Sequence, residues 1–406
     1  MSFSVEDTPS RLEIITRNTK MTITSGPIIR ISPWEVHIND SDFIDEIYVS
    51  GQKHRVNKYG WSVCIDLCLS EHSTVLQKTA EINWGMNETS LFDTVDHDIH
   101  RVRRAAWNPY FSKQSMYKLQ GFIQSTVDTL CTRFAEHRAS NRPAKLIYAY
   151  SCLTADIISE VCFPESFNLL SSREFRSDQH DAWRKASEMQ HVFKQFPLLV
   201  PFFNSFPLWL TKLTAPDVYT IIAMQIALRE QADHIVANRE TLSTKQSTHK
   251  PSMMHHFIEP STALPESEKT AERLMMNSVN AIAAGTMTTA HALKWATYHI
   301  LTIPAIFTAL MAELEAAIPD PASIPPLQTL ENLPYLRALM YESIRLSYGA
   351  SHRLQRVFPD RTIQYHAYTI PPNTPVGMSS PLLHADPAIW PEPDRFNPDR
   401  RMDSIV

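Results

Sequence analysis

At 406 residues, with 43% hydrophobic and 20% charged, the chain is too apolar for intrinsic disorder and long enough for one large core or two tightly fused ones. A formal charge of −5, with basic residues scattered apart from one short cluster, argues against a nucleic-acid binder. Eight glycines against 28 prolines disfavour Gly-rich nucleotide folds and suit long helices joined by Pro-marked loops.

The opening segment, 1–25, is polar and carries charges throughout, far from the roughly 20 apolar residues of a membrane span. Pro27 to Ser32 and Glu35 to Ile38 alternate around a Pro-Trp break, which predicts a small β-hairpin. From about Asp96 the pattern becomes helical, with apolar residues three and four apart through 118–137, 144–162 and 215–236, and a longest helix over about 266–301. Between these, the aromatic run 196–210 is interrupted by Pro197, Pro201, Pro207 and the polar pair Asn204-Ser205. It reads either as an exposed loop making a peripheral membrane contact or as a core loop. Residues 238–250 are polar and predict a connection between helices. A helix follows Pro304 to about 318, Pro-rich 319–326 intervenes, a further helix covers about 330–346, and strand-like stretches return at 362–370 and 374–378. The chain has no internal repeats. This pattern predicts a mainly α fold with a small β region.

Five cysteines, Cys64, Cys68, Cys131, Cys152 and Cys162, lie in apolar stretches without paired metal-site spacing beyond a loose C-x-x-x-C, and read as buried thiols in a reducing compartment. His97 and His100 could start a metal pair but lack a third ligand of suitable spacing, so no metal ligand is assigned.

Chemistry enters near the C-terminus. Glu342 and Arg345 stand at i and i+3, so a carboxylate and a guanidinium share one helix face. Alone this is an ordinary surface pair. Its order with Leu333-Pro334-Tyr335-Leu336, Arg353-Leu354-Gln355-Arg356-Val357, His384-Ala385-Asp386-Pro387 and Pro393-Asp394-Arg395-Phe396 is more specific. That succession resembles the C-terminal half of the cytochrome P450 family, the haem-thiolate monooxygenases. The opening 27–48 and 96–112 look like fungal members that oxidise secondary metabolites.

The resemblance implies a structural triad of Glu342, Arg345 and Arg395. It places His100 and Arg104, four residues apart on one helix face, and Arg356 where the family binds the haem propionates. It also matches Ala284-Gly285-Thr286-Met287-Thr288-Thr289 to the oxygen-side helix. There Gly285 would let the backbone approach the haem, consistent with a mid-helix glycine costing about 1 kcal/mol against alanine, and Thr288 would take part in proton delivery. Met287 stands where an acid is usual and cannot relay a proton. The substrate cavity would be lined from Trp84 to Ile99, 185–215, 281–289 and 348–354.

The expected domain organisation is a polar segment, 1–25, and a single incomplete P450-like domain, 26–406. Cys162 is the last cysteine, so no residue after Phe396 can serve as the axial cysteine, and the fold is expected to be C-terminally truncated. Two readings follow. In one, the chain is a monooxygenase, when the missing C-terminus is supplied, that uses haem and electrons passed from NADPH by cytochrome P450 reductase. Its substrate would be an apolar terpenoid or polyketide. In the other it is an inactive remnant or a small-molecule-binding protein without thiolate-ligated haem. Relatives sit on the cytoplasmic face of the endoplasmic reticulum; this chain, with no predicted span, is expected to be cytoplasmic or peripheral.

Overall fold

The computed structural model of the chain describes residues 26–48, 54–60, 90–196, 199, 202, 206–239, 252–320 and 325–402. Expectations about 1–25, Cys64, Cys68, Trp84 to residue 89, most of 197–205 and most of 238–250 fall outside them. The chain divides into two units, Val63–Leu336 and a second made from Met1–Ser62 with Arg337–Val406.

In the first unit the helices that matter for the site are α1 (His97–Tyr110), α2 (Gln120–Ala139), α3 (Leu146–Cys162), α4 (Asp178–Gln195), α5 (Pro216–Ala237), α6 (Ala271–Thr302) and α7 (Pro304–Ala317). The 32 residues of α6 form its axis. Leu274, Met276, Val279 and Ile282 of α6 are buried in one cluster with Leu228 and Ile235 of α5 and with Met253 and Phe257 of a short helix, Met253–Ile258. The neighbouring α3 packs along α6 and is buried on most of its surface, which explains why it is apolar with little one-sidedness. Its buried Asp156 accepts the Leu169 and Leu170 amides at 2.6 and 2.9 Å, tying down the turn that follows α3. Burial nevertheless raises the Asp156 pKa.

Three sequence expectations are corrected here. The long helix starts at Ala271 rather than at 266, because Thr270 is extended and its hydroxyl accepts the Arg273 amide as an N-cap; 266–268 form a separate 3-10 turn. Helix α4 has no counterpart in the predicted pattern, since its clearest core residues, Ala182 and Trp183, are adjacent rather than periodic. And Cys131, read as a buried thiol, is exposed on α2, whereas Cys152 and Cys162 are buried.

Helix α8 runs from Pro334 to Ser347, not from 330, because Pro334 suits a first helical position and the Glu313 carboxylate accepts the Tyr335 and Leu336 amides, each at 2.8 Å. Residues 337–347 of α8 belong to the second unit, whose strands are β1 (Ile28–Arg30), β2 (Val36–Ile38), β3 (Asn57–Lys58), β4 (Arg356–Val357), β5 (Ile363–Tyr365), β6 (Tyr368–Ile370) and β7 (Val376–Gly377). The predicted hairpin is present as antiparallel β1–β2, and the sheet continues in the order β1-β2-β7-β4-β3. The 362–370 stretch folds back on itself as the β5–β6 hairpin, with His366 at φ 48 in the turn.

Two close approaches fix this small sheet. Gly377 lies against the chain before β4: a Cβ there would stand 2.4 Å from the Arg353 carbonyl oxygen and 3.2 Å from Gln355 Cα. Glu35, 5% exposed, accepts Arg353 Nε at 2.6 Å and Gln355 Nε2 at 2.7 Å, so β4 is held from β2 by a satisfied buried carboxylate.

Candidate functional site

Glu342 and Arg345 meet as their spacing predicts, inside the protein as a structural triad requires. Arg345 donates Nε and Nη2 to the two Glu342 oxygens at 2.9 and 2.8 Å, with the side chains 1% and 0% exposed. Arg345 Nη1 continues to the His384 carbonyl at 2.8 Å, and His384 Nδ1 lies 3.1 Å from the Arg345 carbonyl. Burial would push the Glu342 carboxyl up. The Arg345 guanidinium, the Asn397 amide and the nearby Arg400 charge outweigh it and hold the carboxyl below the usual carboxylate range.

The third member of this cluster is Arg400, not Arg395. Arg400 Nε donates to Glu342 Oε1 at 3.0 Å, and its other nitrogens donate to the carbonyls of Pro391, Glu392 and Arg395. The Arg395 guanidinium instead pairs with Glu392 at the surface, where the two side chains are 65% and 70% exposed. The reason is local geometry. Asn397 caps the 3-10 turn Pro398–Arg401, which brings Arg400 inward, while Arg395 contributes its backbone carbonyl to both Arg345 and Arg400. Sequence reading missed Arg400 although Pro-Asp-Arg occurs twice, at 393–395 and at 398–400. Trp390 completes the cluster, with the Arg345 and Arg401 guanidiniums 5.3 and 4.8 Å from its ring.

Arg356, on β4, is half-buried. It donates Nη1 to the Leu354 and Gln355 carbonyls at 2.9 and 3.1 Å and lies 5.3 Å from the Tyr48 ring. It has no carboxylate partner among the described residues, and burial depresses its pKa. A guanidinium in such a setting favours an anion.

In the first unit, Asp96 caps α1 by accepting the Asp98 and Ile99 amides, and His100 and Arg104 share a face of that helix. His100 is half-buried and Arg104 exposed. Of the same basic run it is Arg103 that turns inward, pairing bidentately with Glu268 at 2.9 and 3.3 Å.

On α6, Thr288 is exposed and donates its hydroxyl to the Ala284 carbonyl at 2.7 Å, which leaves the oxygen lone pairs as acceptors. Met287 packs against the main core cluster, among apolar side chains. Gly285 meets a neighbouring helix: an added Cβ would stand 3.0 Å from Ile158 Cγ1 of α3. The surface that Gly285 approaches in the structure is therefore α3.

Neither buried cysteine is poised as a thiolate. Burial pushes the Cys152 thiol up to about 12 and raises Cys162 as well. Among the described residues, no group of three or more His, Cys, Asp or Glu could hold a metal ion, and no single helix is long and apolar enough to cross a membrane.

The fold is that of cytochrome P450: a solved cytochrome P450, CYP102L1, superposes with a TM-score of 0.68 over 95% of this chain and 78% of that one, at 18% identity. The family model described as Cytochrome P450 matches residues 75–404, and the chain therefore belongs to the cytochrome P450 family. Its curated relatives include tryptophan 6-hydroxylase fscE of Fusarium equiseti, 35% identical over 95% of this chain and 71% of that protein. N-acetyltryptophan 6-hydroxylase ivoC of Emericella nidulans is 35% identical over 94% and 70%, and monooxygenase TRI4 of Fusarium sporotrichioides is 32% identical over 94% and 68%. These similarities support a monooxygenase of fungal secondary metabolism and do not favour the inactive remnant or the binding protein. Family membership implies haem, a small-molecule substrate and a reductase as redox partner.

Proposed function

We propose that the chain binds haem with Arg356, His100 and Arg104 as propionate partners and presents Thr288 on the oxygen side. When bound, haem supplies dioxygen activation with electrons passed from NADPH by cytochrome P450 reductase. The observation that carries this reading is Arg356, half-buried and with its pKa depressed, yet lacking a carboxylate among the described residues. Two propionates would supply the missing negative charge, and the exposed Arg104 suits the same task. Thr288 Oγ1 keeps its own proton on the Ala284 carbonyl and can accept a second hydrogen bond, so it can hold a water or hydroxyl proton at that oxygen. Met287 offers no proton, and none is routed through it. Glu342, Arg345 and Arg400 are scaffold.

The direct test is titration of the purified chain with haem, followed by its Soret absorbance. Arg356→Met should weaken haem binding about 10- to 100-fold, the loss of a charged hydrogen-bonded contact of about 1.5–3 kcal/mol. Unchanged affinity in a variant with native circular dichroism would defeat the assignment.

The substrate is an apolar small molecule of secondary metabolism, a terpenoid or polyketide by resemblance. The names of two relatives add an indole amino acid to the candidates. Supplying N-acetyltryptophan or a sesquiterpene to protein completed with an axial-cysteine segment and reconstituted with haem, reductase and NADPH should yield a product heavier by one oxygen for the correct class; recovery of both unchanged would exclude them.

A peripheral lipid contact fits the side chains near 196–213. Phe196, Phe202, Trp209 and Leu213 are 63%, 55%, 68% and 77% exposed. Replacing Trp209 and Leu213 together by serine should lower co-sedimentation with phosphatidylcholine vesicles by at least about tenfold, since each large side chain contributes roughly 1.5–3 kcal/mol when buried. Equal sedimentation of variant and wild type would remove this region as the contact.

A further inference from the structure

Four residues of α6, Asn277, Asn280, Ala284 and Thr288, recur at i, i+3, i+7 and i+11 and so lie along one stripe of the helix. The two asparagines at its start do not point idly outward. Asn277 Oδ1 accepts the Leu91 amide at 2.9 Å, and a backbone N–H fixes the oxygen as the facing atom. Asn280 Nδ2 donates to Ser90 Oγ at 2.6 Å and to Asp93 Oδ2 at 3.2 Å. Ser90 Oγ in turn lies 2.6 Å from that same Asp93 oxygen and accepts the Asp93 amide at 3.1 Å. The 90–94 turn, which carries the 64% exposed Phe92, is thus bonded on one side to the stripe that leads to Thr288.

Its other side is held differently. The buried Arg103, fixed by its bidentate pair with Glu268, donates Nη1 to Thr94 Oγ1 at 2.6 Å and to the Ser90 carbonyl at 3.3 Å. A buried arginine paired with a partly buried carboxylate, which also binds Arg273, anchors the rear, while side-chain amides hold the front. Breaking the front bonds therefore frees one edge of the turn without releasing its anchor.

We propose that Asn277 and Asn280 are positioning residues that latch the 90–94 turn onto the Thr288 stripe of α6, with Arg103 as the fixed rear anchor. The significance of the stripe rests on the oxygen-side reading of Thr288; the latch itself does not, so the two can fail separately. The two positions differ in chemistry: one accepts a hydrogen bond and the other donates. The same substitution should therefore act unequally at the two positions. Asn277→Asp keeps an acceptor for the Leu91 amide. Asn280→Asp removes the donor and sets a second carboxylate beside Asp93.

Native-state amide hydrogen exchange on the full chain tests this without haem or substrate. Asn280→Asp and Asn277→Ala should each speed exchange at Leu91 and Asp93 by at least about tenfold, while Asn277→Asp stays within about twofold of wild type and protection over 281–290 is retained in all three. Equal responses to aspartate at 277 and 280, unchanged exchange in Asn280→Asp, or loss of protection spread evenly along α6 would each overturn the latch.

Discussion

Arg400→Ala should destabilise the second unit by about 3 kcal/mol, whereas Arg395→Ala should stay within about 0.5 kcal/mol, as read from urea unfolding of the two variants. Removing Arg400 deletes a charged contact to the fully buried Glu342 and leaves the carbonyls of Pro391, Glu392 and Arg395 without that donor. Removing the Arg395 side chain deletes an exposed pair with Glu392 and keeps the carbonyl that the cluster uses. Reversed magnitudes would restore Arg395 to the triad. The same cluster sets a pH dependence. Glu342 titrates below the usual carboxylate range in the folded protein, so its contribution is fully present above its unfolded pKa of about 4.3 and is lost as pH falls through the lower folded value. Melting temperature should therefore fall on acidification below about pH 4, and less steeply in Glu342→Gln, although that variant begins from a lower plateau. A steeper acid loss in Glu342→Gln would contradict this assignment.

Gly377→Ala is the second large effect, expected to cost about 3 kcal/mol or more. A methyl at that position would sit 2.4 Å from a backbone oxygen, and backbone cannot rotate away as a flexible side chain does. Relief requires β7 to part from the 353–355 segment. That segment delivers Arg353 and Gln355 to Glu35 and leads directly into Arg356, so haem affinity should fall together with stability. Gly349→Ala, whose added carbon would meet nothing nearer than Ser347 Oγ at 4.0 Å, serves as the control and should change unfolding by less than about 1 kcal/mol. If the two alanines behaved alike, the close approach at Gly377 would be without energetic weight.

What the chain reveals before its structure is known divides by the range of the interactions involved. Periodic apolar spacing marks α2, α3, α5 and α6 because each repeats a local rule over several turns. The hairpin at β1 and β2 is legible from alternation around a break. By contrast, β3 and β4 are two residues each and owe their existence to partners far along the chain. Glu342 and Arg345 are legible as a pair through their spacing, but their near-complete burial is not, since it is contributed by the 384–401 segment. The choice between Arg395 and Arg400 turns on which of two identical tripeptides is capped by Asn397, a matter of turn geometry rather than residue type. Likewise, nothing in the run His100 to Arg104 announces that Arg103 faces inward, because its partner Glu268 lies 165 residues away.

The contact between Gly285 and Ile158 has a consequence for how relatives of this chain can diverge. Alanine at 285 would gain about 1 kcal/mol of helix propensity but needs Ile158 to yield a few tenths of an ångström. Valine at 158 would cost about 0.5–1.5 kcal/mol by itself and would help to make that room. The two changes are unequal as first steps, and each alters the value of the other. An ancestral or laboratory lineage should therefore pass more readily through one order than the reverse, so that the packing of two helices is recorded as a preferred sequence of substitutions.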